Sequence, residues 1–218
     1  MALGFPLSRD AFFGMLPIST LRLDLPEQMQ LARTGSGEQL ASDLGERLWQ
    51  GEVTLGRMTA LEAGRVDVML DLLRQAGRSF LAYDTRRPWP IRDFAGALLG
   101  SATPTLELVG AATRDIVLAG LPSGYRLEYG DFLSFAYGAS PERRALHRVA
   151  QPATAAGNGK TPAFEIVPAL RPGAQTGAPV SLNRAYFKAV LIPGNTVSGT
   201  GGRTIYQGTT FQFVQTLR

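Results

Sequence analysis

The chain holds one histidine, His147, and no cysteine. A Ser–His–Asp set would have to be built around that histidine, and no serine lies near an oxyanion-hole motif. His147 sits in ALHRVA, where its apolar neighbours give it the reading of a half-exposed strand residue. One imidazole without thiolates is a poor ligand set for a transition metal. The missing cysteine also removes disulfides and thiolate nucleophiles. Hydrolysis of a glycoside needs two carboxylates flanking one bond. Glu128, Asp131 and Glu165 are the candidates in the second half. Asp131 follows Gly130 in a turn, where aspartate is favoured for its local backbone hydrogen bonds. Glu128 and Glu165 alternate with apolar residues, as solvent-face strand positions do. The stretch GNGKT at residues 157–161 lacks the GxxxxGK[ST] spacing, and Pro162 with a strand follows where a helix is required. It reads as a hairpin turn. These residues point to no catalytic group, no cofactor site and no metal site.

The elements that would position such groups are mostly strands. From Tyr125 to Gly173 short β-rich runs are separated by Gly, Pro, Asn and Asp, the pattern of consecutive antiparallel strands. Upstream, residues 19–25 alternate, with Leu21, Leu23 and Leu25 on one face, and residues 33–46 read as a polar loop. Residues 48–58 have strand character with Gly51 and Gly56 marking a bulge or bend. One helix is expected over about 59–76. Thr59 and Glu62 form a capping box, Leu61, Val66, Met69, Leu70 and Leu73 form its apolar stripe, and Gly77 stands at its C-terminal end. Residues 79–83 read as a buried strand, and residues 93–105 as a boundary or crossover. Strands are expected over 106–112, 116–118, 180–182, 185–192 and 208–217, with a flexible loop over 193–203. The fold class is therefore mainly β, a β-rich α+β chain. Residues 1–100 form a sheet or split-barrel domain with the helix. Residues 101–218 form an all-β barrel or sandwich whose last strand is free to return to the first domain.

Composition fits this reading. Hydrophobic residues make 44% of the chain, and 25 glycines and 14 prolines suit many turns. The net charge is +4, and every cation except Lys160 and Lys188 is arginine. That bias suits bidentate contacts at interfaces and equally follows from a GC-rich genome. No block of five like charges occurs, so sequence-specific nucleic-acid binding is not expected. No run of 18 apolar residues suggests a membrane segment, and the N-terminal stretch lacks signal-peptide order.

The remaining candidates are contact residues. Phe5, Phe12 and Phe13 lie in an arm, residues 1–17, too apolar for water and too punctuated for a good helix. The arm packs either on its own domain or on a neighbouring subunit. In the second case removing residues 1–16 weakens assembly. Arg86, Arg87 and Trp89 form a turn that is either an interface anchor or a core edge with a cation–π partner. Trp49 completes the set. Tyr125, Tyr129, Tyr137 and Tyr186 are either core residues or a platform for a carbohydrate.

The order of segments carries a resemblance. GDFLSF, LHRV, an Ala/Gly-rich turn, FEIVPALRPG, VSL and a closing FQF follow one another. This succession is similar to the distal half of distal tail proteins from long-tailed bacteriophages and to gene-transfer-agent tail tips. Glu165, Pro168, Leu170 and Arg171 match the family's Glu-x-x-Pro-x-Leu-Arg segment. The first half, a strand, a long loop, a Leu-Trp strand, a helix and a Phe-rich strand before an aspartate, is similar too. The resemblance spans roughly residues 18–217. It implies a non-enzymatic virion protein at the tail tip, present in the host cytoplasm during assembly. Relatives form a homo-oligomeric ring, usually six-fold, between the tail tube protein and the baseplate hub protein. Their N-terminal domain builds the ring. The alternative is a carbohydrate- or receptor-binding β-sandwich of a tail tip.

Overall fold

The computed structural model describes residues 3–108 and 114–218. The chain is mainly β with one α-helix, about 40% strand and 10% helical. After an N-terminal arm ending in a 3₁₀ turn at Phe13–Met15, β1 (Ile18–Asp24) buries Leu21 and Leu23 and exposes Arg22 and Asp24. Residues 33–46, expected as a polar loop, instead hold the turn and second strand of a hairpin whose first strand lies just before them, β2 (Met29–Arg33) and β3 (Gln39–Asp43). Its turn is self-contained. Gly37 takes φ +87°, and the Glu38 amide donates to Thr34 Oγ1 at 3.1 Å. β4 (Gln50–Leu55) and β5 (Met58–Thr59) are separated by a bend at Gly56, whose amide donates to the Pro17 carbonyl at 2.7 Å.

Helix α1 (Ala60–Leu73) starts on the capping box, with Glu62 Oε2 accepting the Thr59 amide at 2.8 Å. Its buried stripe is Ala63, Val66, Leu70 and Leu73. Leu61 falls on the far side of that row and is 85% exposed. Gly77, at φ +80°, lies beyond the C-cap Arg74 and shapes the next turn rather than the helix end.

The rest is β6 (Phe80–Tyr83), a 3₁₀ turn at Phe94–Gly96, β7 (Thr105–Leu108), β8 (Asp115–Ala119), β9 (Arg126–Leu127), β10 (Phe132–Tyr137), β11 (Arg143–Val149) and β12 (Ala153–Thr154). Then come β13 (Phe164–Val167), β14 (Val180–Ser181), β15 (Tyr186–Val197), β16 (Thr200–Gly201), β17 (Ile205–Gln207) and β18 (Thr210–Gln215). The strand expected over 106–112 is described as far as Leu108, and its remainder lies outside the described residues. Part of the expected loop over 193–203 is the end of β15 and the short β16.

Two compact units result. The barrel unit comprises Met1–Met15, Ser79–Ala189 and Leu217–Arg218; the sheet unit comprises Leu16–Arg78 and Val190–Thr216. A single division near residue 100 is thus not what contacts produce. The arm joins β6, and the last strand joins β4, so both units are discontinuous in sequence.

In the barrel unit the strand order is β14-β10-β11-β13-β8-β7. The two ends meet. Thr105 bridges Pro179, the Leu106 amide donates to the Ala178 carbonyl at 2.9 Å, and the Val180 amide donates to the Pro104 carbonyl at 2.8 Å. The nearly closed barrel holds a core that includes Leu118, Leu127, Leu133, Phe135, Phe164 and Ile166. The β9–β12 pair adds Leu127 and Ala153 to it. Residues 157–161 form a tight turn, with Gly159 at φ +74° and the Lys160 amide on Asn158 Oδ1 at 3.0 Å. The flanking strands β12 and β13 pair with other strands rather than with each other, so the expected hairpin is not formed.

In the sheet unit β4 is central, pairing with β1 on one side and β18 on the other. Phe213 stands opposite Gly51, and a Cβ on that glycine would overlap the Phe213 ring. Phe213 is 1% exposed and has nowhere to move. The missing side chain is therefore the space the ring occupies. Gly64, in contrast, is on the exposed face of α1 with open space beside it. Gly51→Ala is expected to destabilise the chain by about 1–3 kcal/mol through overpacking. Gly64→Ala is expected to stabilise it by about 0.5–1 kcal/mol by restricting the unfolded chain. Urea denaturation of the two variants beside the parent protein checks both signs.

Candidate interaction surfaces

The carboxylates considered for chemistry serve the backbone. Asp131 is 3% exposed and accepts the Ile91 and Glu128 amides, each at 2.8 Å. Burial pushes its carboxyl up, and the two amide donors pull it partly back. Glu128 is not a plain solvent-face residue: Arg92 and Arg126 both bond its Oε1, the latter at 2.9 Å. Glu165 is exposed, as alternation predicts. Two further buried acids behave alike. Asp93 accepts the Leu98 amide at 2.7 Å, the Leu99 amide at 3.0 Å and the Tyr125 hydroxyl at 3.0 Å. Burial and that bond raise the Tyr125 phenol beyond its ordinary range. Asp84 takes both forks of the Arg86 guanidinium, at 3.0 and 2.8 Å, and the Arg86 amide at 2.9 Å. Among the described residues no three of His, Asp and Glu converge on a point that could hold a metal.

His147 is not half-exposed. It is 1% exposed, stacked on Phe135 with centroids 5.3 Å apart, and its Nδ1 lies 2.7 Å from the Pro168 carbonyl. A carbonyl can only accept, so Nδ1 carries the proton and the neutral ring leaves Nε2 bare, without a partner. In the register of β10 and β11 His147 stands opposite Leu133, on the same face as the core residues Ala145 and Val149. Desolvation first, and Arg171 second, lower the imidazole to about 4, against the pull of the Pro168 carbonyl.

No family model and no curated protein matches the chain. Its functional reading therefore rests on the residues and their placement.

The expected contact residues separate into three groups. Phe12, Phe13 and Trp49 are at most 1% exposed and offer no surface in the folded chain. Phe12 and Phe13 pack on Phe80, with centroids 5.1 and 6.0 Å away, and Leu7 bridges Phe80 through backbone hydrogen bonds to Ser79 and Leu81. The arm thus packs on its own unit because β6 offers it an unpaired edge. Phe5 is half-buried beside it. Trp89 is half-buried, and its cation is Arg184 at 5.6 Å rather than Arg86 or Arg87. Arg86 and Arg87 are exposed, the former locked to Asp84. Of the four tyrosines, Tyr125 and Tyr137 are buried, and Tyr186 has the guanidiniums of Arg9 and Arg144 each 4.3 Å from its ring. Only Tyr129, 64% exposed, keeps an open ring.

Two surfaces escaped sequence reasoning. Every residue of strands β2 and β3 is exposed, including Met29, Leu31 and Leu40, with Leu44 just beyond. In the barrel unit Ile91, Phe94 and Leu98 are 58%, 82% and 62% exposed on a single short segment. The signal for the first was slight, Met29 and Leu31 two residues apart ahead of the expected loop. For the second there was none, since phenylalanine and leucine ordinarily mark core.

Two outcomes follow. Above pH 6.5 the neutral His147 fits both the folded and the unfolded chain. As the pH falls toward 4 only the unfolded chain takes the proton, so stability is lost in that window. The loss by pH 4.5 is about 2–3 kcal/mol. His147→Leu is expected to show that much less decline between pH 7 and pH 4.5 by urea denaturation. Asp131 works with the opposite sign and is common to both proteins. Deleting residues 1–13 removes Leu7, Phe12 and Phe13, about 1.5–3 kcal/mol of burial each. The truncated chain is expected to lose its cooperative thermal transition instead of remaining folded and merely unassembled.

Proposed function

We propose that the chain is a structural, non-enzymatic component of a long-tailed phage or phage-like particle. In this reading it is a ring-forming distal tail protein joining the tail tube protein to the baseplate hub protein. Three things support the reading. The order of segments from GDFLSF to FQF follows that family. A nearly closed all-β barrel together with a sheet unit carrying one helix is the architecture that the resemblance implies. The buried acids are occupied by backbone and arginine donors, so they serve structure.

The observation that carries the assembly is the β2–β3 hairpin. A two-stranded hairpin is marginal in water by itself. This one leaves Leu31 60% and Leu40 54% exposed and presents both outer edges unpaired among the described strands. Such edges are an aggregation hazard unless a partner covers them, and contacts that close into a ring cover them all. The hairpin replaces the aromatic arm as the assembling element. The protein then works at the tail tip of the virion and passes through the host cytoplasm during assembly. The alternative, a carbohydrate-binding tail-tip module, retains Tyr129 as its one open tyrosine.

Light scattering of the purified protein tests the reading. Six copies of the 23.4 kDa chain give about 140 kDa, with a central hole in negative-stain images. A species that stays at 23.4 kDa at every concentration, and that binds glycans saturably, would sink the ring and favour the alternative.

A further inference from the structure

We propose that the turn bearing Phe94 in one copy is the docking site for the β2–β3 hairpin of a second copy. The inference rests on the assembly reading above and names the two surfaces that meet. The segment from residue 90 to residue 99 is held rigidly. Asp131 fixes the Ile91 amide, Glu128 holds Arg92, and Asp93 gathers the Leu98 and Leu99 amides with the Tyr125 hydroxyl. The turn is also strained. Ala95 takes φ 59° and ψ 12°, a left-handed conformation that an alanine avoids, and Gly96 follows at φ +73°. The result of this fixation is to hold Phe94, Leu98 and Ile91 out in solvent. The isolated chain gains nothing from that display, whereas a rigid exposed aromatic is the anchor a partner uses.

Beside it lies a cleft of about 420 Å³ lined by Arg92, Leu98, Pro122, Tyr125 and Arg126. The two guanidiniums share one carboxylate, Glu128, and are about half exposed, whereas Glu128 is largely covered and the Asp93 carboxylate is buried behind Tyr125. The charge the cleft presents to solvent is therefore that of the arginines. The hairpin is its complement. It exposes Met29, Leu31, Leu40 and Leu44, and residues 27–46 carry Glu27, Glu38, Asp43 and Glu46 against Arg33 alone. The same polarity holds for the units. Of 22 cations and 18 anions the barrel unit has 14 and 9, and the sheet unit the remaining 8 and 9. Opposite charge favours a barrel unit meeting a sheet unit over either meeting its like. Because the two surfaces differ and both are open on one folded chain, the contact is head-to-tail. Repeated from copy to copy it closes into a ring if the rotation allows.

Complementation of two variants tests this. Leu31→Asp with Leu40→Asp disables the hairpin, and Phe94→Asp with Leu98→Asp disables the turn. All four side chains are exposed, so thermal melts are expected to match the parent. Each variant alone is expected to run at 23.4 kDa by light scattering. An equimolar mixture retains one intact hairpin and one intact turn, and is expected to give a heterodimer of about twice that mass and nothing larger. If the parent assembles and either variant alone does so equally, the proposed contact is wrong while the assembly reading stands. If the parent assembles and the mixture stays at the monomer mass, the pairing of these two surfaces is wrong. If the parent stays monomeric and the mixture does too, both readings fall.

Discussion

Two buried carboxylates hold together much of what the barrel unit displays. An unpaired carboxylate away from water costs several kcal/mol, so Asp93 and Asp131 are tolerable only because amides and a hydroxyl meet them. Three of those donors, the Ile91, Leu98 and Leu99 amides, come from the segment between β6 and β7, which has little regular structure of its own. The dependence runs both ways. The acids need the segment's amides, and the segment needs the acids to fix its path. The burial of Tyr125, the strained Ala95 and the exposed Phe94 follow from that one constraint.

The barrel owes its regularity to a different rule. In β10 the residues Leu133, Phe135 and Tyr137 fill the interior, while Phe132 and Ser134 on the other face are buried as well. A strand covered on both faces reads as a continuous apolar run rather than an alternating one. The histidine on β11 is enclosed for another reason: it stands opposite Leu133 and between Ala145 and Val149, on the face that fills the interior, although its local sequence resembles a half-wet strand.

The legible parts of the fold were those encoded over short distances. The Thr59–Glu62 capping box, the alternation of Leu21 and Leu23, and the GNGKT turn each declare themselves within a few residues. What stayed hidden depended on distant partners. The pairing of β4 with β18 joins residues near 50 to residues near 212, and no local pattern announces it. The arm was legible as apolar, but its destination on Phe80 was not. Residues 33–46 looked like loop because a hairpin with both faces in water has no core side to mark it. The exposed Phe94 inverts the usual meaning of its residue type, so composition alone could not place it.

The discontinuity of the units has a consequence for synthesis. The barrel strands are complete once residue 181 has been made, so that unit can close while the chain is still being extended. The sheet unit cannot, because β4 waits from residue 50 onward for β18, which is translated after every barrel strand. Pairing over such a span is slow and exposes unpaired edges meanwhile. The order of maturation is thus inverted relative to the order of translation. The sheet begun at β1 is finished last, and a chain that stops before β18 carries a complete set of barrel strands and an incomplete sheet.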